Sequence, residues 1–115
     1  MRLVTAYAAG RLAFGAASLL APAATGRFVA GEGATLPDAK AFLQGMGGRE
    51  IGVGLGLLGA ASPRPWLVAG VLSDLGDLVG IVGAWSSMPP EKRLPGAAFA
   101  GFAAVSGLVL LGRSG

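Results

Sequence analysis

The chain has 115 residues, of which 53% are hydrophobic and 13% charged, and its formal net charge is +3. Soluble domains carry roughly 25% charged residues, so this chain lacks the usual means of covering a wet surface and reads as a membrane protein. Its Lys and Arg residues make no basic patch, which argues against nucleic-acid partners. The absence of Cys and His removes disulfides, thiol chemistry, zinc sites, histidine general bases and the usual haem ligands.

Four apolar segments follow one another, each near the roughly 20 residues that a bilayer requires. The first covers residues 3–20 and is stopped by Pro22 and Gly26. Ala21-Pro22-Ala23 resembles a signal-peptidase site, but the segment is expected to stay in place as the first membrane helix. The connection over 21–37 is the longest and has room for a short interfacial turn. The second segment covers 38–61, with Thr35 or Asp38 as N-cap and Pro37 near its first helical position. Ser62-Pro63-Arg64-Pro65 ends it. The third covers 65–85 and is bracketed by Trp66 and Trp85, as interfacial aromatics bracket membrane helices. Residues 86–95 break the chain again, and the fourth segment covers 95–112. No segment alternates with period two or has the β-branched richness of a barrel strand. The expected fold is all-α: a single domain over residues 1–115, an integral membrane four-helix bundle with Gly/Ala-rich helix interfaces. Orientation is left open, because Arg2, Arg64 and Arg113 on one side balance Arg27, Lys40, Lys92 and Arg93 on the other.

Within the second segment, Gly54-Leu55-Gly56-Leu57-Leu58-Gly59 matches the dinucleotide fingerprint G-x-G-x-x-G. That motif functions between a buried strand and a helix of a βαβ unit, and this chain has no such strands. The helical reading explains the glycines better. At 100° per residue, Gly45, Gly48, Gly52, Gly56 and Gly59 fall within an arc of about 80°, with Gly54 on the opposite side. Small residues let helix backbones approach closely in lipid, so the stripe is expected to be a helix-packing ridge. Similar ridges are expected in the third segment (Gly76, Gly80, Gly83) and the fourth (Gly96 or Ala97, Ala100, Gly101, Ala104, Gly107).

Charge at mid-helix is the second signal. Arg11 lies near the midpoint of the first segment, Arg49 and Glu50 at that of the second, and Asp74 and Asp77 at that of the third. Left unpaired, five charges at the bilayer centre cost about 12–17 kcal/mol in sum on insertion scales, so they are expected to face one another or a wet cavity. Asp74 and Asp77 share a helix face, and Arg11 shares one with Tyr7, Gly15 and Ser18. Glu50 points about 100° away from Arg49, so the two are expected to meet different neighbours. Arg11, Arg49, Glu50, Asp74 and Asp77 are the candidate intramembrane polar site. They serve either as an ion-pair cluster that fixes helix order or as a site for proton transfer or polar-ligand binding.

Gly10-Arg11 to Pro22, Gly48-Arg49-Glu50 before a Gly/Leu run, and Asp74-x-x-Asp77 resemble the pattern of small bacterial four-helix membrane proteins, loosely DoxX-like. The resemblance implies that those same five charged positions are the polar positions of the family. DoxX itself is associated with quinol oxidation, but no redox ligand stands here.

The leading expectation is a non-enzymatic multi-pass protein of the cell membrane, a homo-oligomer or accessory subunit of a larger membrane complex. Its expected partner is the lipid bilayer; no catalytic residue, cofactor or metal is expected. A small dimeric transporter or channel is the alternative, although small multidrug transporters carry their carboxylate in helix 1, where this chain has Arg11. A quinone- or lipid-associated membrane enzyme subunit is a further one, with Asp74, Asp77 or Glu50 as acid and base.

Overall fold

Proline sets where the helices begin. The computed structural model describes residues 2–114. The chain runs through α1 (Arg2–Leu20), α2 (Pro22–Ala30), a 3₁₀ turn (Glu32–Thr35), α3 (Pro37–Gly59), α4 (Arg64–Gly83), a second 3₁₀ turn (Trp85–Ser87) and α5 (Pro90–Ser114). Pro22, Pro37, Pro65 and Pro90 stand in the first turn of their helices. There the missing N–H costs nothing and the fixed φ already suits a helix. No strand occurs among the described residues.

Two stretches differ from the sequence expectation. Residues 21–37 are largely helical rather than a loop, because Pro22 starts a new helix directly after α1. α2 ends at Gly31, whose φ of 89° is open to glycine, and Pro89 lies where a Cβ would stand. α5 begins at Pro90 and carries Pro95 inside it. Glu91, Lys92, Arg93 and Leu94 are strong helix formers, and they form the helix before Pro95 is reached.

Contacts between the long helices give their directions. Ala8 and Gly15 of α1 meet Gly54 and Gly47 of α3, so these two run antiparallel. Gly56 of α3 meets Trp66 of α4, and Arg49 meets Asp77. Val71 of α4 meets Gly107 of α5, and the Arg64 guanidinium donates to the Leu111 carbonyl. Successive long helices therefore alternate in direction. The α1–α3 and α4–α5 pairs are the tightest, and α3–α4 and α1–α5 contacts are looser.

The core is small: Ala8, Val53, Leu57, Leu67 and Leu110. Large apolar side chains point outward instead, with Leu20, Phe28, Phe42 and Phe102 between 76% and 82% exposed. Arg11, Ser18, Glu50 and Asp74 are buried. This inversion suits a chain whose exterior solvent is hydrocarbon. Three helices are long and apolar enough to cross a membrane, over Arg2–Leu20, Arg64–Gly83 and Pro90–Arg113. α3 is just as long but is interrupted by Gln44, Arg49 and Glu50.

The glycines of the expected α3 stripe lie mostly outside the contacts between helices of one chain. Among the described residues, nothing outside their own stretch of helix lies within 4 Å of where a Cβ would stand on Gly45, Gly48, Gly52 or Gly59, so most of the expected stripe faces away from the other helices. Gly56 alone of the five packs internally, against the Trp66 ring. The close approach of α1 and α3 rests on Gly47 and Gly54, on the other side of α3. A Cβ on Gly47 would stand 2.7 Å from the Gly15 carbonyl oxygen and 2.9 Å from the Leu19 nitrogen. The expected ridge of α4 (Gly76, Gly80, Gly83) also faces outward, whereas Ala100, Ala104 and Gly107 of α5 are buried. Helical periodicity groups residues on a face; it does not say which face meets the rest of the chain.

Candidate functional site

One arginine of α1 sits between α3 and α4. Arg11 Nη1 donates to Glu50 Oε2 at 2.5 Å. Its Nη2 donates to Asp74 Oδ2, to the Gly70 carbonyl at 3.0 Å and to the Tyr7 hydroxyl at 2.8 Å. Tyr7 lies one turn before Arg11 on the same helix, and its ring centroid is 4.8 Å from the guanidinium carbon. Gly70 permits this approach. A Cβ there would stand 2.8 Å from Tyr7 Oη and 3.0 Å from Arg11 Nη2. Arg11 Nε is buried and has no hydrogen-bond partner among the described residues.

Arg49 and Asp77 form an outer pair. Arg49 Nη2 donates to Asp77 at 3.1 Å and to Glu50 Oε1 at 3.2 Å, which joins the two groups into one network. Their depth differs sharply. The side chains of Arg11, Glu50 and Asp74 are 6–7% exposed, against 39% for Arg49 and 32% for Asp77. The five candidate residues thus come together as a buried triad and a half-exposed pair. Glu50 faces α1 through the same side of α3 as Gly47 and Gly54, and Arg49 leans toward α4, as their angular separation requires.

Carboxylate oxygens of Glu50, Asp74 and Asp77 lie within 4.8 Å of one another, a spacing that would suit a metal ion. Two guanidinium groups already supply the countercharge to those oxygens, so the trio reads as ion-pair acceptors.

Two clefts flank the network. The larger, about 490 Å³, lies between α1 and α5; Phe14, Phe99 and Phe102 form its walls, with Tyr7, Arg11, Glu50 and Asp74 at its polar end. The smaller, about 390 Å³, runs along the outer face of α3 past Phe42, Gly45, Met46, Arg49 and Asp77.

Tyr7 and Gly70 belong to the network and were not singled out as site residues from sequence. The signal for Tyr7 was present: it is the one tyrosine of the chain and stands four residues before Arg11. Gly70 contributes a backbone carbonyl, which no residue type announces.

Compared with known protein families, with curated proteins and with solved structures, the chain matches none.

Proposed function

We propose that this protein is a four-span membrane bundle of the cell membrane, a homo-oligomer or accessory subunit, in which the charged network is a structural clamp. Lipid gives four apolar helices no hydrophobic drive to associate with one another. A single guanidinium that satisfies acceptors on two other helices supplies position and order instead. The observation that carries this reading is Arg11, which bonds to Glu50 of α3 and to both Asp74 and Gly70 of α4. The outward glycines of α3 and the half-exposed Arg49–Asp77 pair support a second copy as the partner across that face. The motif resemblance to small bacterial four-helix, loosely DoxX-like membrane proteins points the same way.

Removing one member of a buried ion pair strands the others and costs about 3–5 kcal/mol, whereas replacing all members by apolar residues of similar volume is often neutral. Arg11→Met is therefore expected to destabilise the protein by about that amount in mixed-micelle unfolding. The triple variant Arg11→Met, Glu50→Leu, Asp74→Leu is expected to recover most of the loss. An Arg11→Met protein as stable as the parent refutes the clamp.

A further inference from the structure

We infer that the cleft between α1 and α5 binds an uncharged, lipid-soluble carbonyl compound, whose oxygen accepts a hydrogen bond from Arg11 Nε. The clamp uses only the two terminal nitrogens of that guanidinium. Nη1 donates to Glu50, and Nη2 donates to Asp74, Gly70 and Tyr7. Nε is left over. Arg11 lines the cleft with its side chain 6% exposed. Its Nε is the one buried side-chain atom of that lining without a hydrogen-bond partner among the described residues. Buried polar groups are almost always bonded, so what the cleft lacks is an acceptor.

Charge decides which acceptor. Arg11, Glu50 and Asp74 sum to one formal negative charge, and the adjoining Arg49–Asp77 pair is neutral. An anionic acceptor would approach Nε beside two carboxylates whose arginine is already engaged. A cation brings no acceptor, and a hydrocarbon chain leaves Nε bare. An uncharged carbonyl oxygen fills the vacancy without adding charge.

Walls and depth fix the rest of the molecule. Phe14 and Phe99 lie with ring centroids 5.5 Å apart, and Phe102 lines the same cleft, so the body that fits is apolar or aromatic. Phe99 and Phe102 are 60% and 76% exposed, so the cleft opens sideways and a molecule dissolved in hydrocarbon would enter it laterally. Arg11 stands at the middle of the Arg2–Leu20 span, half of a roughly 30 Å hydrocarbon layer from either interface. The ester carbonyls of bilayer phospholipids lie at that interface, which makes a free carbonyl compound the occupant. The volume of about 490 Å³ falls within the roughly 300–1,000 Å³ typical of small-molecule sites.

The test uses four probes on one diphenyl body: benzophenone, diphenylmethane, diphenylacetate and benzhydrylamine. They carry a carbonyl, no polar group, a carboxylate and an ammonium. Binding is measured by equilibrium dialysis on the full chain in nanodiscs of ester-linked phosphatidylglycerol, with empty nanodiscs as the partition background. Benzophenone is expected to bind at least tenfold more tightly than each of the other three. Its carbonyl stretch, read by infrared difference spectroscopy, is expected to move to lower wavenumber on binding. Arg11→Lys keeps the charge but removes Nε, and is expected to erase the difference between benzophenone and diphenylmethane. Gly10 lines the cleft, and among the described residues nothing outside its own stretch of helix lies within 4 Å of where its Cβ would stand. Gly10→Leu is therefore expected to fill the cleft and weaken benzophenone binding at least tenfold. Equal affinities for benzophenone and any other probe on the parent protein overturn the inference, as does a Gly10→Leu protein with undiminished binding. Those results stand even where Arg11→Lys fails to fold; a folded Arg11→Lys protein that keeps the difference overturns the inference too. Ether-linked phosphatidylglycerol, which has no ester carbonyls, is expected to change the benzophenone affinity less than twofold. A tenfold gain makes a lipid ester carbonyl the occupant and overturns the assignment to a free compound. None of these binding results touches the clamp, which is read from stability.

Discussion

Gly47 and Gly48 are neighbours in one helix, yet alanine is expected to have opposite effects at the two. At Gly47 the added Cβ would stand 2.7 Å from the Gly15 carbonyl oxygen, 2.9 Å from the Leu19 nitrogen and 3.1 Å from Ser18 Cβ. The two nearest are backbone atoms of α1, so no side-chain rotation relieves the contact and the helices must separate. Overpacking of this kind costs about 1–3 kcal/mol, and the upper part of that range applies where backbone is hit. The better helix propensity of alanine returns at most about 1 kcal/mol, leaving a net loss of about 1–2 kcal/mol. At Gly48 no described residue outside its own stretch of helix lies within 4 Å, so within a single copy only the propensity term remains, a gain of up to about 1 kcal/mol. Mixed-micelle unfolding followed by far-ultraviolet circular dichroism reads both variants, with light scattering to report the number of copies per particle. A Gly47→Ala protein as stable as the parent would refute the close α1–α3 approach. A Gly48→Ala protein that loses stability and dissociates into single copies would show a second chain on the outer glycine face.

The other expectations concern the ends of the helices. Gly31→Ala is expected to cost about 1–3 kcal/mol, the usual cost of forcing a non-glycine residue into a glycine-only backbone region. Its φ is 89° and ψ −168°, with Pro89 Cγ 2.7 Å from the new Cβ; a melting temperature equal to the parent's contradicts that geometry. Gly56→Ala is expected to expel the Trp66 ring from its seat on α3. In a Trp85→Phe background the emission maximum of Trp66 should then move, and an unchanged spectrum argues against the contact. Glu32→Gln removes an ion pair to Arg27 whose side chains are 55% and 77% exposed. Exposed pairs of this kind are worth about 0–1 kcal/mol, so stability should change little, and less still in high salt.

Which segments become long helices, and roughly where each ends, was legible from hydropathy and proline placement. Both act within a few residues along the chain, and α1, α3 and α4 begin and end within a few residues of the expected bounds. The level at which Arg11, Arg49, Glu50, Asp74 and Asp77 sit was legible for the same reason, since depth in a helix follows from counting. Sequence hides α2, because Pro22 both ends α1 and opens the next helix, and proline serves equally well at either place. Pro95 marks the opening of α5 too late, because the four helix formers before it already build the helix from Pro90.

Pairing and facing lay beyond the sequence. Periodicity showed that Gly48 and Gly54 lie on different sides of α3, but only the packed chain decided that α1 takes the side of Gly54 and Gly47. The choice follows from the sum of many weak contacts over the whole length of two helices, and no local stretch carries it. For the same reason the sequence named five charges but not their partners. The tertiary structure made Arg11 the shared donor and Arg49 the outer one, because Gly70 lacks a side chain at the point where the Arg11 guanidinium and the Tyr7 hydroxyl must both fit.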